Sequence, residues 1–172
     1  MVSETFDNCL IENNVRGVFV EYLIAEILGE SWTVSSTWDS WDLNGPCGAK
    51  VEVKSSSFLQ SWHKADEFTN GKALPKPTFD IAARTGRWEG NDWIAEPGRA
   101  ASVYIFAIHT ETNFELADQR KLSQWEFYVA TAKSLPVQKS ISLSRLQKLF
   151  KKKTSDQLPE FVAFTLRQMK AT

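Results

Sequence analysis

Residues 1–172 predict a single α/β domain, and three observations carry that expectation. Two apolar runs, Ser102 to His109 and Trp125 to Thr131, have the length and composition of buried strands. The stretch Trp41 to Ser57 reads as a pair of strands around a turn rich in Asn, Gly and Pro, the residue types that reverse a backbone cheaply. Helical periodicity falls on both sides of these strands, near the start of the chain and again in its last forty residues. A composition of 42% hydrophobic and 24% charged residues belongs to a globular chain that folds around its own core.

Taken in order, Asn13 or Asn14 to Leu28 is the first predicted helix, with Asn14 as its N-cap and Gly29 as its terminator. A spacing of 100° per residue puts Val20, Leu23, Ile24, Ile27 and Leu28 on one arc, Glu21 at its border and Glu26 toward solvent. Trp32 to Trp38 is β-branched and aromatic, the pattern of a strand. The hairpin follows as Trp41 to Leu43 and Lys50 to Ser55. Residues 63–78, with P-K-P at 75–77, read as a loop, Phe79 to Arg84 as an edge strand, and Thr85 to Arg99 as a long loop of the functional kind. In that loop Arg87 and Arg99 are placed to contact phosphates, and Trp88 and Trp93 either stack on bases, wedge a duplex or pin the loop to the surface. Ser102 to His109 is expected at the centre of the sheet, with His109 structural. Ile141 to Phe150 and Pro159 to Met169 are amphipathic helices, the first packing on the sheet and the second serving as core or as the surface of a homodimer.

No apolar run approaches the roughly 20 residues that span a bilayer. The N-terminal M-V-S-E-T-F-D-N lacks a basic region followed by a hydrophobic one, so a cytoplasmic protein with no membrane partner is expected. Cys9 and Cys47 are too few for a disulfide framework and read as free thiols. A net charge of −1 hides an asymmetry. Residues 1–132 carry 11 Lys or Arg against 19 Asp or Glu, a balance of −8, and residues 133–172 carry 9 against 2, a balance of +7. The basic end is either a source of phosphate contacts or a solvated helix face.

Chemistry concentrates on the hairpin. Side chains alternate along a strand, so Glu52 and Lys54 share a face, and Asp42 on the partner strand adds a carboxylate at cross-strand distance. Two carboxylates that close repel unless a cation lies between them. Mg²⁺, which takes oxygen ligands at about 2.1 Å, suits the arrangement. Asp39 is the alternative to Asp42, which is preferred because it lies within the strand-like W-D-L. A solvated strand face pairing Glu52 with Lys54 would write the same letters.

Asp42, a turn, and then Glu52-Val53-Lys54 resembles the catalytic hairpin of the PD-(D/E)XK superfamily, the restriction endonuclease-like nucleases, with Trp41 standing where that family has Pro. The resemblance implies a restriction endonuclease-like mixed central β-sheet flanked by helices. It implies Mg²⁺, replaceable by Mn²⁺, held by Asp42, Glu52 and the main-chain carbonyl of Val53, with Lys54 assisting the attack of water. Glu21 on the preceding helix and Gln60 after E-x-K match positions where the superfamily carries supporting catalytic residues. The implied activity is that of a Mg²⁺-dependent phosphodiester hydrolase, an endonuclease acting on double-stranded DNA. The alternatives are a non-catalytic nucleic-acid-binding or assembly domain that keeps the nuclease fold, and a hydrolase of free nucleotides.

Overall fold

The computed structural model describes residues 12–36, 38–64 and 73–171. In chain order its elements are α1 (Asn13–Leu28), β1 (Thr33–Val34), β2 (Leu43–Gly45), β3 (Ala49–Ser57), β4 (Thr78–Asp80), β5 (Arg87–Glu89), β6 (Asp92–Ile94), β7 (Val103–His109), β8 (Trp125–Thr131), β9 (Ser140–Ser142), α2 (Leu143–Leu149) and α3 (Leu158–Lys170). The central sheet has the order β1-β2-β3-β7-β8. Its β3 and β7 run parallel and its other neighbours antiparallel, so the fold is mixed α/β around a mixed sheet.

Every residue of β7 is buried, as an interior strand covered on both faces requires. Alternation along it divides the core in two. Val103, Ile105 and Ala107 face α1 and α3, where they meet Val20, Ile24, Leu158 and Val162. Tyr104, Phe106 and Ile108 face the opposite layer, closed by Phe79 of β4, Ile81 just after it, Ile141 of β9, and Leu143 and Leu146 of α2. Leu158 and Val162 are buried and Phe161 packs on them, so this face of α3 is core. His109 is fully buried at the end of β7 and its Nε2 lies 2.9 Å from Gln124 Oε1, a structural placement.

Several predicted bounds move, each for a local reason. Helix α1 begins at Asn13 with Glu12, not Asn14, in the capping position, and ends at Gly29, whose φ of 96° favours glycine. The strand expected over Trp32 to Trp38 survives only at Thr33–Val34. The Ser35 N–H still donates to the Asp42 carbonyl at 2.8 Å, but the Ser35 and Ser36 hydroxyls and the Ser36 N–H donate to Asp39 Oδ2 at 2.7, 3.0 and 3.3 Å, and these side-chain bonds turn the chain out of the ladder. The Phe79 to Arg84 strand contracts to Thr78–Asp80, because Asp80 Oδ1 accepts from the Ala82 N–H at 2.9 Å and turns the chain. It pairs with β9, which takes the first residues expected of the helix Ile141 to Phe150. The Ser142 hydroxyl then caps α2 by accepting from the Arg145 N–H.

The segment Thr85 to Arg99 is not an irregular loop. It folds as the hairpin β5–β6, with Trp88 opposite Trp93 and Gly90 (φ 59°) opening the turn. Cys47 is an exposed free thiol, while Cys9 and positions 65–72 of the expected 63–78 connection lie outside the described residues. No helix among the described residues is long and apolar enough to cross a membrane.

Candidate metal centre and its cleft

The hairpin forms over Leu43–Gly45 and Ala49–Ser57, so Asp42 sits just before its strand and not within it. The Asp42 N–H donates to the Val51 carbonyl at 2.9 Å while its own carbonyl accepts from the Ser35 N–H at 2.8 Å. Partner strand β2 therefore leaves β3 uncovered from Val53 onward. The Asp42 carboxylate fills the gap, its Oδ2 accepting from the Val53 N–H at 2.6 Å. Asp42, Glu52 and Lys54 line one cleft of about 270 Å³, together with Asp80, Arg84 and Tyr104.

Negative charge is in excess there. Lys54 Nζ donates to Glu52 Oε1 at 2.5 Å, both side chains being mostly buried. Burial and then the Glu52 carboxylate push the Asp42 carboxyl up to about 7; the Val53 N–H opposes the rise, Glu21 adds to it, and Lys54 opposes it. Glu21, half-buried on α1, is raised by burial first and then by Glu52, with Lys54 acting the other way. Tyr104, opposite Glu52 across the β3–β7 pair, is pushed up to about 12 by burial and then by Glu52, and stays a neutral hydroxyl. Around Asp42 the charges felt are those of Glu52, Glu21 and one ammonium, Lys54, while Arg84 and Arg99 on the cleft wall are taken up by Asp80 and by main-chain carbonyls.

Among the described residues no three of His, Cys, Asp and Glu converge as a metal cluster. Glu21 is near enough for its charge to be felt at Asp42 but does not line the cleft. Mg²⁺ is commonly held by one or two carboxylates and keeps several waters, so the pair of oxygen donors fits such an ion.

The other predicted residues are placed differently. Gln60 does not line the cleft. Its buried amide accepts from Arg16 Nη1 and donates to the Ser57 carbonyl, both at 2.7 Å, tying α1 to the end of β3. Asp39 lines the cleft, but its carboxylate is taken up by Ser35, Ser36 and the Gly90 N–H, and these bonds hold its pKa below the usual range. Arg87 is ion-paired to Glu96 within its hairpin. Arg99 donates to the carbonyls of Ile81, Ala132, Leu135 and Pro136 at 2.8 to 3.4 Å, which makes it a strap between layers.

Asp80, Arg84 and Tyr104 were not singled out from the sequence. Asp80 and Arg84 form an ion pair across the turn after β4, a pairing that no helical or strand spacing announces. Tyr104 reaches the cleft only through the parallel pairing of β3 with β7. No family model, curated protein or solved structure matches this chain.

Proposed function

We propose that this chain is a Mg²⁺-dependent phosphodiester hydrolase, an endonuclease of DNA, built on a restriction endonuclease-like fold. The observation that carries the reading is the sharing of one cleft by Asp42, Glu52 and Lys54, where burial first and then the Glu52 carboxylate raise Asp42 to about 7. Asp42 and Glu52, with the Val53 carbonyl, would hold the cation. Bound there, Mg²⁺ or Mn²⁺ would polarise a phosphate oxygen and lower the pKa of a water. Lys54 offsets the charge that gathers on the phosphoryl oxygens during attack. Glu21 would add negative charge beside the cation and Lys54.

Nicking of supercoiled plasmid with Mg²⁺, Mn²⁺ or EDTA tests this. Ala at Asp42, Glu52 or Lys54 should each lower the rate by at least about 100-fold with little loss of fold, on the scale of removing one transition-state contact. Wild-type rates in all three variants would overturn the proposal.

A second reading, a nucleic-acid-binding or assembly domain without catalysis, is favoured by the 2.5 Å contact that turns Glu52 onto Lys54. Calorimetry of Mg²⁺ with the wild type and Glu52→Ala separates the two. No metal binding by the wild type, alongside retained DNA affinity, selects the second.

A further inference from the structure

Two tryptophans stand beside the cleft without being part of the fold's interior. Trp88 and Trp93 remain 43% and 49% exposed and belong to neither core cluster. Their rings meet edge to face with centroids 5.4 Å apart, so the edge of one covers part of the other and the rest of the ring surface is exposed. Exposing this much apolar surface is unfavourable unless something covers it in use.

Their position is fixed. Trp93 lies on Gly86, a residue of the cleft wall, so closely that a Cβ there would sit 2.5 Å from Trp93 Cζ2. The Trp88 N–H donates to the Ser40 hydroxyl at 2.7 Å, and the Trp88 carbonyl accepts from the Ser40 N–H at 3.2 Å. The Gly90 N–H donates to Asp39 Oδ1 at 2.9 Å. Ser40 and Asp39 also line the cleft. Bonds to the wall therefore hold the hairpin as a rigid rim.

Charge decides what the rim can meet. On and just after the hairpin, Glu89, Asp92 and Glu96 face Arg87, which pairs with Glu96 and Glu89, and Lys50 of β3, which pairs with Glu89, so Asp92 is left in excess. Such a surface repels a phosphate track. In the cleft Lys54 and Arg84 are themselves paired, with Glu52 and Asp80, so positive charge is offered beside the cleft by exposed Lys139, whose carbonyl accepts from the Ile81 N–H. An intact duplex turns its phosphates outward and hides its base faces. An unpaired base offers a neutral aromatic face, which indoles stack on well.

We infer that the β5–β6 hairpin is a stacking site for unpaired nucleobases, and that the cleft takes nucleic acid whose strand is unpaired at that point. The substrate class rests on the phosphodiester reading of the cleft, whereas the stacking site can be tested without cleavage. Fluorescence anisotropy of a labelled single strand of about 15 nucleotides, and of a blunt duplex of equal length, would be titrated with the full chain in EDTA.

The single strand should bind at least tenfold more tightly than the duplex. Trp88→Ala and Trp93→Ala should each weaken single-strand binding about tenfold, as loss of one stacked base predicts, and leave duplex binding unchanged. Trp88→Phe and Trp93→Phe should keep most of the affinity. Thermal melts check that each variant is folded, and the Phe variants keep the test decisive if an Ala variant is not. Single-strand affinity within twofold of wild type in the double Ala variant, or equal affinity for duplex, overturns the inference. Tryptophan-dependent binding with Mg²⁺-dependent cleavage of neither plasmid nor single-stranded circles would sink the hydrolase and leave the stacking site; cleavage with tryptophan-independent binding would do the reverse.

Discussion

Asp42 is where a single side chain decides most. The folded chain keeps its proton up to about pH 7, against an ordinary value of 3.8. Between those values the folded state binds more protons than the unfolded one, so the contribution of Asp42 to stability is full at low pH and is lost as pH rises through 7. His109 runs the other way, since burial lowers its pKa and its contribution is lost on acidification. The comparison that isolates Asp42 is therefore with Asp42→Asn, which keeps an acceptor for the Val53 N–H. Urea midpoints should show the Asn variant gaining on the wild type between pH 5.5 and 8, and equal pH slopes would refute the raised carboxyl. Millimolar Mg²⁺ should raise the wild-type midpoint more at pH 8 than at 5.5, because the cation competes with the proton. Arg99 invites an opposite expectation about nucleic acid. Its carbonyl bonds occupy the guanidinium, so Arg99→Ala should cost about 2 kcal/mol of stability, and Arg99→Lys should recover less than half, since one ammonium cannot span those acceptors. An unchanged unfolding midpoint with a shallower salt dependence of DNA affinity would return Arg99 to the phosphates.

At the scale of an element, the β5–β6 hairpin shows how a stretch that reads as loop gains a fixed position. Its register sets Glu89 opposite Asp92, and Lys50 of β3 pairs with Glu89 from outside the hairpin. Gly86 is the close-approach point. A methyl there would meet both the Trp93 ring and the Ile94 carbonyl, at 2.5 and 2.6 Å, so the backbone or the ring must move. Gly86→Ala should destabilise by about 1–3 kcal/mol, the usual cost of overpacking. It should also speed amide exchange at Trp88 and Gly90 ahead of β7. Uniform exchange across both elements would show that the hairpin is not a separately anchored unit.

The whole molecule is tied together by β7, which sends alternate residues into two cores. Ile105→Ala opens a cavity under α1 and α3, and Phe106→Ala opens one under β4, β9 and α2. Each should cost about 3–5 kcal/mol. Because both faces belong to one strand, far-UV and near-UV circular dichroism should still report one coincident transition in each variant; separated transitions would mean the layers unfold independently. From the sequence alone came what depends on neighbours along the chain. The apolar periods of α1, β7, β8 and α3 are visible in any window, and so is the strand alternation that sets Glu52 beside Lys54. The turn between Leu43 and Lys50 likewise announces a hairpin. Tertiary structure decided what depends on residues far apart. Asp42 leaves the strand to cap a β3 amide, Gln60 and Arg99 are drawn into structural bonds, and Tyr104 and Arg84 arrive at a cleft that no local pattern describes. Local periodicity reports which face of an element is apolar. The partner of a polar side chain is set by the packing of whole layers, where a buried donor or acceptor must be satisfied by whatever the fold brings within reach.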